Sequence, residues 1–122
     1  MTDLRDRSRA ERQGRRGEGW AALYLRLTGW RILARRVKTR RGEIDIVARR
    51  GRMVRYVEVK WRARSGDLDT AIDARRLQRV AAAVAAIGAR YEKPGDSIRI
   101  DVLLLSPGTW PRVIENAWAP LD

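Results

Sequence analysis

The chain has no cysteine and no histidine among its 122 residues. These absences exclude disulfides, thiol catalysis, zinc sites built on sulfur or imidazole, and hydrolases that use histidine. Oxygen ligands and a hard metal ion remain. Long apolar runs are absent too, because the longest spans only residues 80–87 and is far too short to cross a bilayer. No signal-peptide pattern is present, so we expect a soluble cytoplasmic protein with no membrane partner.

Negative charge is scarce. The chain carries 27 Lys and Arg residues against 15 Asp and Glu residues, a formal net charge of +12, and 24 of the basic residues are Arg. This excess is typical of proteins that bind a polyanion, and nucleic acid, DNA above all, is the expected partner.

Lys60 is one of only three lysines. An ammonium group can share a proton and position a water, whereas guanidinium stays protonated; chance placement is the alternative.

The length is that of one domain. Residues 1–13 are rich in Arg and poor in apolar residues, which predicts a mobile basic arm before a single domain over residues 14–122. Apolar spacing and turn residues predict helix, three strands, helix and two strands in that order. A helix between the third and fourth strands makes them parallel. The predicted fold class is therefore α/β, with a mixed sheet flanked by helices.

The first predicted helix covers residues 14–27 and the second covers residues 70–90. On the first helix, Ala21 and Ala22 allow a close approach to the sheet, which would bring Glu18 near the residues that the sheet displays. Trp20 and Trp30 are predicted to be core residues. The predicted strands are residues 30–38, the two halves of 42–61, residues 98–105 and residues 112–118.

Acidic residues lie inside the two apolar runs of segment 42–61, where a strand ordinarily buries valine. A turn at Gly51-Arg52 would make a hairpin with Asp45 opposite Glu58 and Glu43 opposite Lys60. Two carboxylates that close are destabilising unless a cation lies between them, and a divalent cation is the expected one. A longer or shorter loop changes these partners but keeps Asp45, Glu58 and Lys60 on one face, whereas a bulge would separate them.

Five segments of the chain carry a family resemblance: GEGWAALYL at 17–25, GEIDIVA at 42–48, VEVKWR at 57–62, IRIDV at 98–102 and IENAW at 114–118. They resemble the PD-(D/E)XK nuclease superfamily and, more specifically, the YraN-like family of uncharacterised bacterial proteins, proposed relatives of Holliday junction resolvases. The resemblance implies a restriction-endonuclease-like core. The last two segments often contain phenylalanine in that family, where this chain has Ile100 and Trp118, and these exchanges concern packing.

The resemblance also implies roles for individual residues. Asp45 and Glu58 would be metal ligands, together with the backbone carbonyl of Val59. Lys60 would orient or deprotonate the attacking water, and Glu18 would complete the catalytic set. Mg²⁺, with Mn²⁺ as a substitute, suits such oxygen ligands. The implied function is metal-dependent hydrolysis of phosphodiester bonds in DNA, including branched or damaged DNA. A homodimer would suit a symmetric junction.

Other residues have both a functional and a plain interpretation. Arg75, Arg76 and Arg79 form an outward helix face that either contacts phosphates or is merely solvated. Trp61 either stacks on bases or belongs to the core. Asp101 is expected to form a structural ion pair with a neighbouring arginine rather than to hold a metal.

Two functions other than a nuclease remain open at this point. One is a non-catalytic nucleic-acid-binding protein that retains the nuclease fold. The other is an interaction protein whose acidic residues form a structural network.

Overall fold

The computed structural model describes residues 17–64 and 74–118. Its elements are helix α1 (residues 17–27), strands β1 (Arg31–Lys38), β2 (Glu43–Arg50) and β3 (Met53–Trp61), helix α2 (Ala74–Ile87) with a 3-10 turn at Gly88–Arg90, and strands β4 (Ser97–Leu105) and β5 (Arg112–Ile114). The predicted order of elements is confirmed. The described residues do not include the predicted basic arm, residues 1–13, the predicted first residues of the first helix, 14–16, or those of the second helix, 70–73.

The five strands form one sheet in the order β1-β2-β3-β4-β5. Neighbouring strands are antiparallel except β3 and β4, which pair in parallel from Met53–Ser97 to Trp61–Leu105. Helix α2 connects these two strands, and a parallel pair requires such a crossover. The predicted mixed α/β sheet is therefore confirmed.

Each face of the sheet is covered by one helix. Helix α2 buries Leu77, Val80, Ala83 and Ile87 against one face. Helix α1 lays Ala21 and Ala22, both essentially inaccessible, against the other face. No helix within residues 17–64 and 74–118 is long and apolar enough to span a membrane.

Two of the tryptophans test the predicted core. Trp30 is buried, as expected, among the residues that pack under α1. The expectation for Trp20 was wrong, because its side chain is 58% exposed. Helix α1 turns its small-residue side toward the sheet, and a helix that packs through alanine leaves its bulky side outward.

The β2–β3 hairpin has the predicted register. Paired positions run from Arg50–Met53 to Ile46–Val57, and Gly51 in the turn has a φ of 60°, which favours glycine. The pairing ends one step before Asp45 and Glu58. Ile44 packs under α2 while Ile46 packs under α1, although residues two apart on a regular strand share a face. Strand β2 is therefore irregular around Asp45.

A second acidic residue is buried in the middle of the sheet. Asp101 on β4 is fully buried, and its Oδ2 lies 2.5 Å from Arg55 Nε and 3.3 Å from Arg99 Nη2. Its Oδ1 accepts a hydrogen bond of 2.7 Å from the backbone N–H of Asn116. The Arg55 guanidinium also lies 4.2 Å from the ring centre of Trp30. Asp101 thus forms the expected structural ion pair.

Candidate active site

The candidate residues of the sheet meet at one edge. Strands β2 and β3 are antiparallel, so the first residues of β2 lie beside the last residues of β3. Asp45 is the third residue of β2, and Glu58 and Lys60 lie near the end of β3. The irregularity of β2 does not separate them, because Asp45 Oδ2 accepts a hydrogen bond of 2.7 Å from the backbone N–H of Val59, between Glu58 and Lys60.

Asp45 is 8% exposed. The pKa of Asp45 is raised from 3.8 to about 7; burial is the largest cause and repulsion by Glu58 adds to it, whereas the Val59 hydrogen bond and the charge of Arg76 act in the opposite direction. The predicted crowding of two carboxylates is therefore a feature of the fold. Asp45 therefore keeps its proton to a higher pH than a solvent-exposed aspartate does.

Glu58 is almost completely buried at 1% exposure. Its Oε1 lies 3.3 Å from the Lys60 ammonium group and also contacts Arg76 Nε. Its Oε2 is buried and has no hydrogen-bond partner among the described residues. A buried carboxylate oxygen without a donor is costly, and native structures rarely contain one without a reason such as an additional ligand.

Glu18 reaches the same region from α1. Its carboxylate pairs with Arg36 Nε, and its charge is close enough to raise the pKa of Asp45. Arg36 lies across from Asp45 in the β1–β2 register and has a φ of 53°, a conformation that non-glycine residues rarely adopt. Backbone strain of this kind is concentrated at functional sites. The structure thus brings Glu18, Asp45, Glu58 and Lys60 together.

The predicted arginine face of α2 is exposed at Arg75, Arg76 and Arg79. Arg76 differs from the prediction in one respect, because its guanidinium also reaches back to the sheet and pairs with Glu58. Helical spacing contained a signal for this position, because Arg76 precedes the buried Val80 by four residues and the buried Ala83 by seven. The positive charge of Arg76 favoured the opposite prediction, a side chain directed to solvent, because arginine is rarely buried without a partner.

The structure also modifies the expectations for Glu43 and Trp61. Glu43 pairs with Lys38 in the β1–β2 register and lies 3.9 Å from Arg76, so the expected pairing of Glu43 with Lys60 does not form part of the β2–β3 ladder. Trp61 is partly buried and packs with the cluster under α1, close to Gly17. Its ring is therefore only partly available for stacking on a base.

The oxygen atoms at this edge suit a small hard cation that takes only a few of its ligands from the protein. No group of three or more acidic side chains positioned for a metal occurs within the described parts of the chain. Two carboxylates, Asp45 and Glu58, and the carbonyl of Val59 would have to suffice. Mg²⁺ commonly binds through one or two carboxylates and retains several waters. The partnerless Glu58 Oε2 and the raised pKa of Asp45 fit carboxylates that would hold such a cation.

Comparison with known proteins identifies the family. Residues 17–105 match the uncharacterised protein family UPF0102. A UPF0102 protein of Erythrobacter litoralis is 61% identical over 111 residues, covering 91% of this chain and 96% of that protein. One from Sphingopyxis alaskensis is 54% identical over 114 residues, covering 93% of this chain and 98% of that protein. The family resemblance of the sequence motifs is therefore confirmed.

A solved structure with the same fold is Hjc of Archaeoglobus fulgidus, a Holliday junction resolvase. It matches with a TM-score of 0.58 at 22% sequence identity, covering 84% of this chain and 71% of that chain. The fold is therefore restriction-endonuclease-like, as predicted.

Proposed function

We propose that this chain, which belongs to the uncharacterised protein family UPF0102, is a divalent-metal-dependent nuclease that hydrolyses phosphodiester bonds in DNA. The observation that carries the proposal is the pairing of two buried carboxylates, Asp45 and Glu58, with one lysine, Lys60, at the edge of the sheet. A buried carboxylate with a raised pKa beside a second buried carboxylate is more typical of active sites than of surface ion pairs. The fold shared with a Holliday junction resolvase is consistent with it.

Each residue has a role that its surroundings support. Asp45 and Glu58 would hold the cation, Mg²⁺ or Mn²⁺, with the carbonyl of Val59 as a third ligand. The chemistry that such a cation supplies is neutralisation of charge on the phosphate and a lower pKa for the attacking water. Lys60 is 13% exposed at its side chain and would orient that water or take its proton.

The remaining charged residues would shape the site and bind the substrate. Glu18 and Arg36 form an ion pair that fixes the boundary of the site on the α1 side. Arg75 and Arg79 on α2 would contact the DNA backbone, which a net charge of +12 favours. Trp61 would contribute at most one face to a base.

A second candidate function follows from Arg76. Its guanidinium already contacts Glu58, so the acidic pair has a positive partner within the protein. A protein that binds DNA without cutting it, and in which Arg76 has become the permanent counter-charge, would have this geometry.

One measurement, DNA cleavage with and without a divalent metal, distinguishes the two functions. We would incubate the protein with duplex, single-stranded, flapped and four-way DNA in Mg²⁺, Mn²⁺ or EDTA, and include Asp45→Asn as a control. A nuclease cuts at least one substrate only with metal and only with Asp45. Tight binding of every substrate without cleavage would support the non-catalytic function instead.

A further inference from the structure

Arg76 stands between the buried acids and the solvent. Its side chain is 44% exposed, whereas the Glu58 side chain that it contacts is 1% exposed. Asp45, Glu58 and Glu43 all attract its guanidinium, and Glu43 Oε1 lies 3.9 Å from its Nη2. Arg76 is the residue through which α2 contacts Glu58, by its Nε. Arg76 therefore supplies positive charge at the place where a cation bound by Asp45 and Glu58 would supply it.

A basic groove opens on the other side of Arg76. Its volume is about 240 Å³, and Lys38, Thr39, Arg79 and Glu43 line it together with Arg76. Thr39 and Gly42 hold the β1–β2 turn in place through a hydrogen bond of 2.7 Å from the Thr39 hydroxyl to the Gly42 carbonyl. Arg76 therefore borders both the groove and the acidic pair.

The groove wall is closely fitted. A Cβ atom on Gly42 would lie 2.4 Å from the carbonyl oxygen of Arg79, so the β1–β2 turn packs directly on the backbone of α2. The groove lies beside the acidic pair, with three basic side chains on its walls: Lys38, Arg76 and Arg79.

We propose that Arg76 is a counter-charge which the divalent cation displaces, and that the released guanidinium then binds a phosphate of the DNA backbone in the groove formed with Lys38 and Arg79. This rests on the proposed function. A divalent cation on Glu58 repels a guanidinium on the same carboxylate, since two positive charges about 4 Å apart oppose each other strongly where water is scarce. Guanidinium matches phosphate with two parallel hydrogen bonds, which makes the groove a favourable destination.

The first measurement is the affinity for Mn²⁺ in the absence of DNA, by calorimetry, for wild type, Arg76→Gln and Arg79→Gln. Arg76→Gln should bind Mn²⁺ about tenfold more tightly, because the cation no longer competes with a charge-assisted hydrogen bond. Arg79→Gln removes the same charge from the same helix and should change the affinity by less than about twofold. Arg76→Lys, which keeps the charge, should fall between wild type and Arg76→Gln.

The second measurement is the salt dependence of binding to a short DNA duplex, with and without Ca²⁺, which shares the preference for oxygen ligands. Gels of the same samples verify that the DNA stays intact. For wild type the slope of log Kd against log salt should steepen by about 0.9 when Ca²⁺ is present, the value of one added phosphate contact. In Arg76→Gln, Ca²⁺ should leave the slope unchanged.

The outcomes separate this proposal from the nuclease proposal. If wild type binds Mn²⁺ and Arg76→Gln binds it equally or more weakly, displacement of Arg76 is wrong and the nuclease proposal stands. If Arg76→Gln gains affinity but no DNA is cut, displacement is supported and the nuclease proposal is wrong. Absence of Mn²⁺ binding in all variants, each shown to be folded by its melting curve, contradicts displacement outright.

Discussion

The backbone N–H of Val59 donates a hydrogen bond of 2.7 Å to Asp45 Oδ2. It joins the candidate ligand of β2 to the middle of the Glu58–Lys60 segment of β3, at the point where regular pairing of the two strands has ended. The bond orients Asp45 but does not outweigh its burial, because the pKa of Asp45 still rises to about 7. Asp45 is therefore a carboxylate held in position at an energetic cost.

That cost predicts the sign of a stability change. Asp45→Asn should leave the metal-free protein as stable as wild type or more stable at pH 8, because the amide keeps an acceptor for Val59 and removes a buried charge beside Glu58. Urea unfolding at pH 8 measures the difference. Asp101→Asn is the matched control: it leaves the buried Arg55 without its main partner and should destabilise by roughly 3 kcal/mol. A similar loss in both variants would identify Asp45 as a structural ion-pair residue.

The same pKa predicts how stability depends on pH. The unfolded chain releases the Asp45 proton near pH 3.8 and the folded chain near pH 7, so the folded state binds more protons between these values. The stability contributed by protonated Asp45 is thus present at pH 4 and is lost as pH rises toward 7, at about 1.4 kcal/mol per pH unit. Wild type should lose stability relative to Asp45→Asn between pH 4 and pH 7. Parallel pH profiles of the two proteins would contradict the buried, repelled carboxylate.

Metal should reverse this loss. A ligand that binds only the folded state raises the melting temperature, and binding to Asp45 requires its deprotonated form. Mn²⁺ should therefore raise the Tm of wild type more at pH 8 than at pH 6 and should have no effect on Asp45→Asn. Glu115→Gln, a change at an acid that is 63% exposed and pairs with Arg55 and Arg99, controls for loose binding of metal to carboxylates and should respond like wild type.

Lys60 is the test of catalysis. Lys60→Arg should keep the fold and the charge next to Glu58 while lowering DNA cleavage by orders of magnitude, because guanidinium neither takes a proton nor positions a water as ammonium does. Initial cleavage rates with Mg²⁺ measure the effect, and melting curves check the fold. Lys93→Arg makes the same replacement at an exposed residue and should retain full activity. Full activity in Lys60→Arg would remove Lys60 from the mechanism.

DNA binding without metal should separate two neighbouring arginines. Arg79→Ala should lower the slope of log Kd against log salt by up to about 0.9, the value of one phosphate contact. Arg76→Ala should lower it less, because Glu58 already holds that guanidinium in the metal-free protein. Fluorescence anisotropy of labelled duplex between 50 and roughly 200 mM salt covers the range in which such slopes are measured. Equal effects of the two variants would mean that DNA itself pulls Arg76 away from Glu58.

The sequence by itself determined the order of elements, the parallel β3–β4 pair and the hairpin register, because these are local or topological properties. Period-two alternation, the glycine in the turn and the helix between two strands leave few other arrangements. That register predicts the grouping of Asp45, Glu58 and Lys60, and the hydrogen bond from Val59 N–H to Asp45 keeps them together where β2 becomes irregular. Helical spacing predicted that Glu18 lies near the sheet, the motif resemblance implied its role, and the structure places it within electrostatic reach of Asp45.

Only the tertiary structure decided what surrounds these residues. How closely each helix packs on the sheet decides three features. They are the contact of Arg76 with Glu58, the exposure of Trp20 and the irregular backbone around Arg36. The helical pattern predicts that Arg76 lies beside the buried face of α2. It does not predict whether an acidic side chain lies within reach of the guanidinium. The raised pKa of Asp45 has the same origin, because desolvation is the sum of all the atoms packed around a carboxylate, and these come from segments far apart in the chain.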